Sequence, residues 1–107
     1  MNAAHGSSEI LSQESAREML RAQVALDARD PIERPFSGQG RSAQWGLGWS
    51  LNTTAGGVIF HHGGANRTGF RCFSQFSLDR QSGLVIMTNG LGGGELWTRL
   101  VATIGDW

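Results

Sequence analysis

The sequence predicts an α+β domain, an antiparallel sheet of about three to four strands flanked by an N-terminal and a C-terminal helix. Apolar residues recur at helical spacing near both ends of the chain and alternate with polar ones through its middle, and glycine-rich corners separate the alternating runs. Glycine accounts for 16 of the 107 residues, about twice the usual share of roughly 7%. The glycines form no repeat; they cluster at 38–48, 56–64 and 90–94.

Ser12 ahead of Gln13-Glu14 reads as a helix cap with an acidic first turn, and Ala16, Met19, Leu20 and Val24 follow at helical spacing, which predicts a helix over 13–26. Asp30-Pro31 and Arg34-Pro35 stop any helix, and Ser37-Gly38-Gln39-Gly40 continues as loop, so this stretch is a connector. From Gln44 onward Trp45, Leu47, Trp49 and Leu51 alternate with Gly46, Gly48, Ser50 and Asn52, the pattern of one half-buried strand. Thr54-Ala55-Gly56-Gly57 turns the chain into a short strand, Val58–His62, that runs into glycines.

Phe70, Cys72, Phe76 and Leu78 then alternate with polar residues, which puts Cys72 among the core positions. Asp79 to Gly83 reads as a hairpin turn into Leu84–Asn89. The unbroken apolar run at 84–87 predicts a central strand buried on both faces. After Gly92-Gly93-Gly94-Glu95, the stripe Leu96, Trp97, Leu100, Val101 and Ile104 predicts a helix over 95–105 packed on the sheet. Two short helices cannot cover both faces of such a sheet, so residues 1–107 are read as a single partial domain.

Composition narrows the function classes. Nine basic and nine acidic residues cancel, which leaves no electrostatic footprint for nucleic acid or an anionic membrane. No stretch is apolar for long enough to span a bilayer, and Met1 to Ser8 has neither the basic region nor the apolar run of a signal peptide. Compartment is not encoded in any feature of the chain. Cys72 is the only cysteine, which excludes an intrachain disulfide. A metal site is disfavoured, because His61 and His62 are strand neighbours that point apart and only His5 remains as a third imidazole.

The constellation with chemical content is Phe60-His61-His62-Gly63-Gly64-Ala65-Asn66. Strand alternation sets His62 and Gly64 on one face and His61 and Gly63 on the other. A bare Gly64 allows an acyl group to lie against the strand and meet a backbone N–H. On pattern alone the glycines read equally as a turn and the histidines as ordinary half-buried residues.

Five segments, in order, add to this: Leu11-Ser12-Gln13-Glu14-Ser15-Ala16-Arg17-Glu18-Met19-Leu20, Gly46-Leu47-Gly48-Trp49, Phe60 to Asn66, Gly69-Phe70-Arg71 and Met87-Thr88-Asn89-Gly90. From Ser8 to Trp107 the chain resembles the C-terminal portion of the serine beta-lactamase, penicillin-binding-protein and esterase family. The resemblance implies the C-terminal part of a beta-lactamase/transpeptidase-like fold and acyl transfer on an ester, amide or beta-lactam through an acyl-enzyme, with no cofactor. It implies that His62 sets a hydrogen-bonding or cationic group beside the substrate or the proton-transfer network. Gly63, Gly64 and Asn66 would contact substrate, and Ala65 would lend its backbone N–H to the oxyanion hole.

The family's Ser-X-X-Lys nucleophile motif and Tyr-X-Asn motif have no counterpart here, since the sequence holds no Ser-X-X-Lys and no tyrosine. The expectation is therefore a hydrolase fragment inactive by itself, with the remainder of the hydrolase domain as its partner. The alternatives are a non-catalytic complementing module and a structural protein that self-associates through its exposed sheet. Trp45, Trp49, Trp97 and Trp107 read as core or interface anchors, Thr88-Asn89-Gly90 as a turn, and Arg67 and Arg71 as solvated surface charge.

Overall fold

The computed structural model describes residues 2–6, 8–26 and 44–104. A single turn of 3-10 helix at Asn2–His5 leads to helix α1, Gln13–Leu20. The strands follow as β1 (Val24–Ala25), β2 (Gln44–Trp45), β3 (Ser50–Thr54), β4 (Gly57–Ala65), β5 (Arg71–Ser77) and β6 (Ser82–Thr88), and helix α2 (Gly93–Thr103) ends the described chain. The strands form one antiparallel sheet in sequence order, β1-β2-β3-β4-β5-β6. The α+β class stands, with six strands among the described residues in place of three to four.

Helix α1 begins as expected: the Ser12 hydroxyl accepts from the Ser15 amide at 3.1 Å. It ends at Leu20, well short of residue 26, because Arg21 is extended and Val24–Ala25 pairs with Gln44–Trp45. Side chains brace that exit. The Arg21 guanidinium grips the Glu18 carboxylate at 2.6 and 2.9 Å, and Gln23 Nε2 donates to the same carboxylate at 2.9 Å. These contacts, Arg21 first, hold the Glu18 carboxyl down at about 2.

The strand expected from Gln44 is two strands. The chain reverses between them, Gly46 N–H donating to Trp49 O at 2.8 Å, with Gly48 at φ +85°. The hairpin tip docks on the end of α1, where Leu47 N–H donates to Met19 O at 2.8 Å. A side chain at 46 would put its Cβ 2.5 Å from that same carbonyl, so only glycine fits. The proline-bearing connector lies outside the described residues.

β4 is longer than the sequence pattern predicts, because Gly63 and Gly64 continue the strand instead of ending it. β5 pairs with β4 from Ile59↔Ser77 through Ala65↔Arg71 and with β6 from Arg71↔Thr88 through Ser77↔Ser82. One face of β5 carries Phe73, Gln75 and Ser77, each at most 1% exposed. Helix α2 covers that face: Trp97 stacks on Phe73 at 4.5 Å, Val101 joins them, and Leu84 and Ile86 pack against the cluster.

The other face carries Phe60 stacked on Phe76 at 5.1 Å and Trp49 edge-on to Phe76 at 4.9 Å. Met19, Leu20 and Ala16 of α1 meet Trp49 and Phe76 there across a narrow cleft. Among the described residues the same face is bare toward β6. Cys72 is exposed instead of buried, and β6 is an edge strand instead of a central one, with Val85 72% and Met87 82% exposed. No described helix is long and apolar enough to cross a membrane.

The packing of Trp97 on Phe73 predicts that Trp97→Ala lowers unfolding free energy by about 3–5 kcal/mol, while Leu96→Ala, one residue away and half exposed, costs about 1 kcal/mol or less. Urea unfolding followed by circular dichroism measures both.

Candidate functional site

The register of the sheet decides what β4 offers. β3 pairs with β4 only from Thr54↔Gly57 to Ser50↔His61, and beyond that point β3 turns away through the Gly46–Trp49 hairpin. Residues His62 to Ala65 therefore have β5 on one side and no described strand on the other. Antiparallel backbones aim their N–H and C=O groups alternately to left and right. Asn66 N–H bonds to Phe70 O on the β5 side, so Gly64 and His62 also turn their amides toward β5. The amides of Gly63 and Ala65 consequently face the open edge.

Side chains alternate in the perpendicular sense. His62 stands exposed on the bare face, its ring held edge-on by Trp45 at 5.8 Å and Trp49 at 6.5 Å. Gly64 lies on the same face across from Cys72, and a Cβ at 64 would sit 2.7 Å from the Cys72 sulfur. The bare strand at Gly64 thus has a packing reason.

His61 takes the opposite face and is only 3% exposed. Burial, and to a smaller degree the neighbouring His62, push its imidazole down to about 4. Asn52 Nδ2 lies 3.3 Å from its Nε2, and Phe73 stacks over it at 6.0 Å. Ser50, His61 and Gln75 form one cross-strand row and Asn52 lies in the next, all buried. Alternation had assigned Ser50 and Asn52 to the solvent side. Their burial shows both faces of β3 covered, and no feature of the local sequence signals this polar row beneath the site.

An open cleft of about 560 Å³ lies at the end of β4, β5 and β6, lined by Gly64, Ala65, Asn66, Cys72, Met87 and Thr88 among others. Three of the expected site residues therefore meet there, whereas His62 stands apart under the tryptophans. Asn66 is committed to its own loop: Oδ1 accepts from Phe70 N–H at 3.0 Å and from the Thr68 hydroxyl at 2.8 Å. Arg71 is a strap rather than a free surface charge, since Nη1 donates to Asn66 O at 2.7 Å and Phe70 O at 2.9 Å. Thr88 ties the same corner by donating its hydroxyl to Arg71 O at 3.0 Å. Arg67 is exposed, in agreement with the sequence reading.

Among the described residues no group of three or more His, Cys, Asp or Glu side chains is placed to hold a metal ion. The chain has no tyrosine and no lysine, so it contains neither a Ser-X-X-Lys nor a Tyr-X-Asn element.

A family model described as Beta-lactamase matches residues 7–104, nearly the whole chain, and the protein belongs to that family. No curated protein and no solved structure matches it.

The buried His61 makes stability depend on pH. Unfolded, the imidazole takes up a proton near 6.5, while folded it resists protonation until about 4. Stability is therefore complete above pH 6.5 and falls as the pH drops through that window, by up to roughly 3 kcal/mol. Denaturant melts between pH 7 and 4 should show this slope, lose it in His61→Gln and keep it in His62→Gln.

Proposed function

We propose that the chain is the C-terminal portion of a serine hydrolase domain that transfers acyl groups from an ester, amide or beta-lactam through an acyl-enzyme. It supplies one wall of the active site, and the serine comes from another polypeptide segment. The observation that carries this reading is the overhang of β4 beyond β3, where the Ala65 amide faces an open edge and His62 and Gly64 share one adjacent face.

In this reading the substrate lies along the open edge of β4, extended beside the strand. The Ala65 N–H donates to the carbonyl oxygen as negative charge develops on it, and the serine's own N–H is the second donor. Both donors are fixed before reaction, so the tetrahedral state is stabilised without reorganisation. His62, held between Trp45 and Trp49, directs a ring nitrogen toward the substrate or the proton-transfer network. Gly64 allows the close approach, and Gly63 offers a further edge amide for an acyl substituent. Asn66, its oxygen engaged in the loop, contributes through its Nδ2. His61, neutral and buried behind the strand, keeps β4 seated without taking part in proton transfer.

The chain alone should take no label from a fluorophosphonate or a beta-lactam probe, as judged by intact mass, and acylation of any of its serines would overturn the proposal. Reconstituted with the Ser-X-X-Lys segment of the domain, it should hydrolyse an activated ester, and His62→Ala should lower kcat by about a hundredfold or more. Because Cys72 crowds position 64, the informative variant is Gly64→Ala in a Cys72→Ala background. There the added methyl meets only substrate, and kcat/KM should fall about tenfold or more. Full activity would refute close approach at Gly64.

A further inference from the structure

The cleft at the end of β4, β5 and β6 begins at Gly64 and Ala65. Its volume of about 560 Å³ falls in the usual range for small-molecule sites, roughly 300–1,000 Å³. The exposed side chains that line it are apolar: Phe70, Met87 and the thiol of Cys72. Gly64, Cys72 and Met87 form one cross-strand row and so share a floor. The polar groups of the lining are turned onto their own corner. Asn66 Oδ1 and the Thr88 hydroxyl are engaged there, and Arg71, the one charged residue among the described lining residues, donates to Asn66 O and Phe70 O. Phe70 is held by its backbone on both sides, its N–H donating to Asn66 Oδ1 at 3.0 Å and its carbonyl accepting from Asn66 N–H at 3.2 Å. Its ring is therefore presented to the cleft from a fixed backbone.

A carbonyl carbon whose oxygen sits on the Ala65 amide carries two further substituents. One runs back along the edge of β4 toward Gly63, and the other points over Gly64, where no side chain stands, into the cleft. We propose that the cleft is the leaving-group subsite and takes an uncharged, apolar alcohol, which makes the substrates esters of apolar alcohols. The inference rests on the assignment of Ala65 as an oxyanion donor and narrows it to one substrate class. An apolar group leaving water against Phe70, Cys72 and Met87 gains roughly 25 cal/mol per Å² of area covered. A carboxylate would instead give up hydration beside groups that are apolar or already hydrogen-bonded. The attacking serine must reach a carbonyl carbon held at Ala65, and the alcohol must depart from that same carbon. The space beside Gly64 thus belongs to substrate, while Val85, farther along β6 and outside the cleft, stays available for packing by the rest of the domain.

Two acetate esters that differ only in the alcohol test this on the chain alone, which has no Ser-X-X-Lys element and so binds without turnover. One is benzyl acetate; the other is acetoxyacetate, whose alcohol carries a carboxylate. Followed by amide and methyl resonances, benzyl acetate should shift the Ala65 and Phe70 amides and the Met87 methyl along one saturable curve. Acetoxyacetate should bind at least about fivefold more weakly. Met87→Asp and Phe70→Ala, both at exposed side chains, should each weaken benzyl acetate about fivefold or more with an unchanged far-UV spectrum. Equal shifts at Ala65 with both esters, Phe70 and Met87 unmoved, would overturn the subsite and leave the oxyanion assignment standing. No shift at Ala65 with either ester would overturn both. Equal affinity for the two esters, or benzyl acetate binding undiminished in both variants, would overturn the apolar preference and the proposal with it.

Discussion

The pairing of β4 with β5 is the constraint on which the rest of the molecule depends. It fixes seven consecutive positions from Ile59↔Ser77 to Ala65↔Arg71, and a slip of one residue would exchange the two faces of β4 entirely. In the observed register His61 is buried, His62 is exposed, and the amides of Gly63 and Ala65 turn away from β5. The difference in strand length completes the arrangement: β4 has nine residues and β3 five, so β4 overhangs. The same β5 serves as the seat for α2 through Phe73, so the ladder that orients the candidate site also anchors the core.

The two faces of the sheet are unequal, and that inequality separates structure from chemistry. Under α2, Phe73, Trp97 and Val101 supply apolar burial, and the row Ser50, His61 and Gln75 adds polar groups that only a well-fixed backbone tolerates. A neutral His61 is the condition for that burial, which ties fold stability to pH through a residue adjacent to the candidate site. On the opposite face, tryptophans at 45 and 49 close around His62, while Cys72, Val85 and Met87 remain uncovered. The hairpin that carries Trp45 and Trp49 is pinned to α1 at Gly46 and Leu47.

Much of this was legible in the sequence. The Ser12 cap, the turn between β3 and β4, the hairpin before β6, the stripe of α2 and the opposed directions of His61 and His62 all follow from local chemistry, and the family resemblance agrees with the match over 7–104. The strand count was not legible. β1 and β2 have two residues each, too short for any periodicity, and the reversal between β2 and β3 preserves alternation, so two strands read as one. Phe70, Phe73 and Phe76 are spaced by three, which no strand can set on one face, and the face containing Phe73 became the core while Cys72 was left exposed. The apolar run of β6 looked central because composition cannot distinguish a strand covered on both faces from an edge strand with one bare face. The buried Ser50 and Asn52 were hidden for the opposite reason: nothing in a polar side chain announces that tertiary packing will cover it.

The central claim is that the Ala65 amide faces an open strand edge and is free to meet an acyl oxygen. Residue-resolved amide hydrogen exchange on the 107-residue chain tests it most directly. Fast exchange is expected at Gly63 and Ala65, alternating with protection at His62 and Gly64, whose amides bond to β5. Protection at Ala65 equal to that at Gly64 would mean that the edge is already occupied, and would contradict the account.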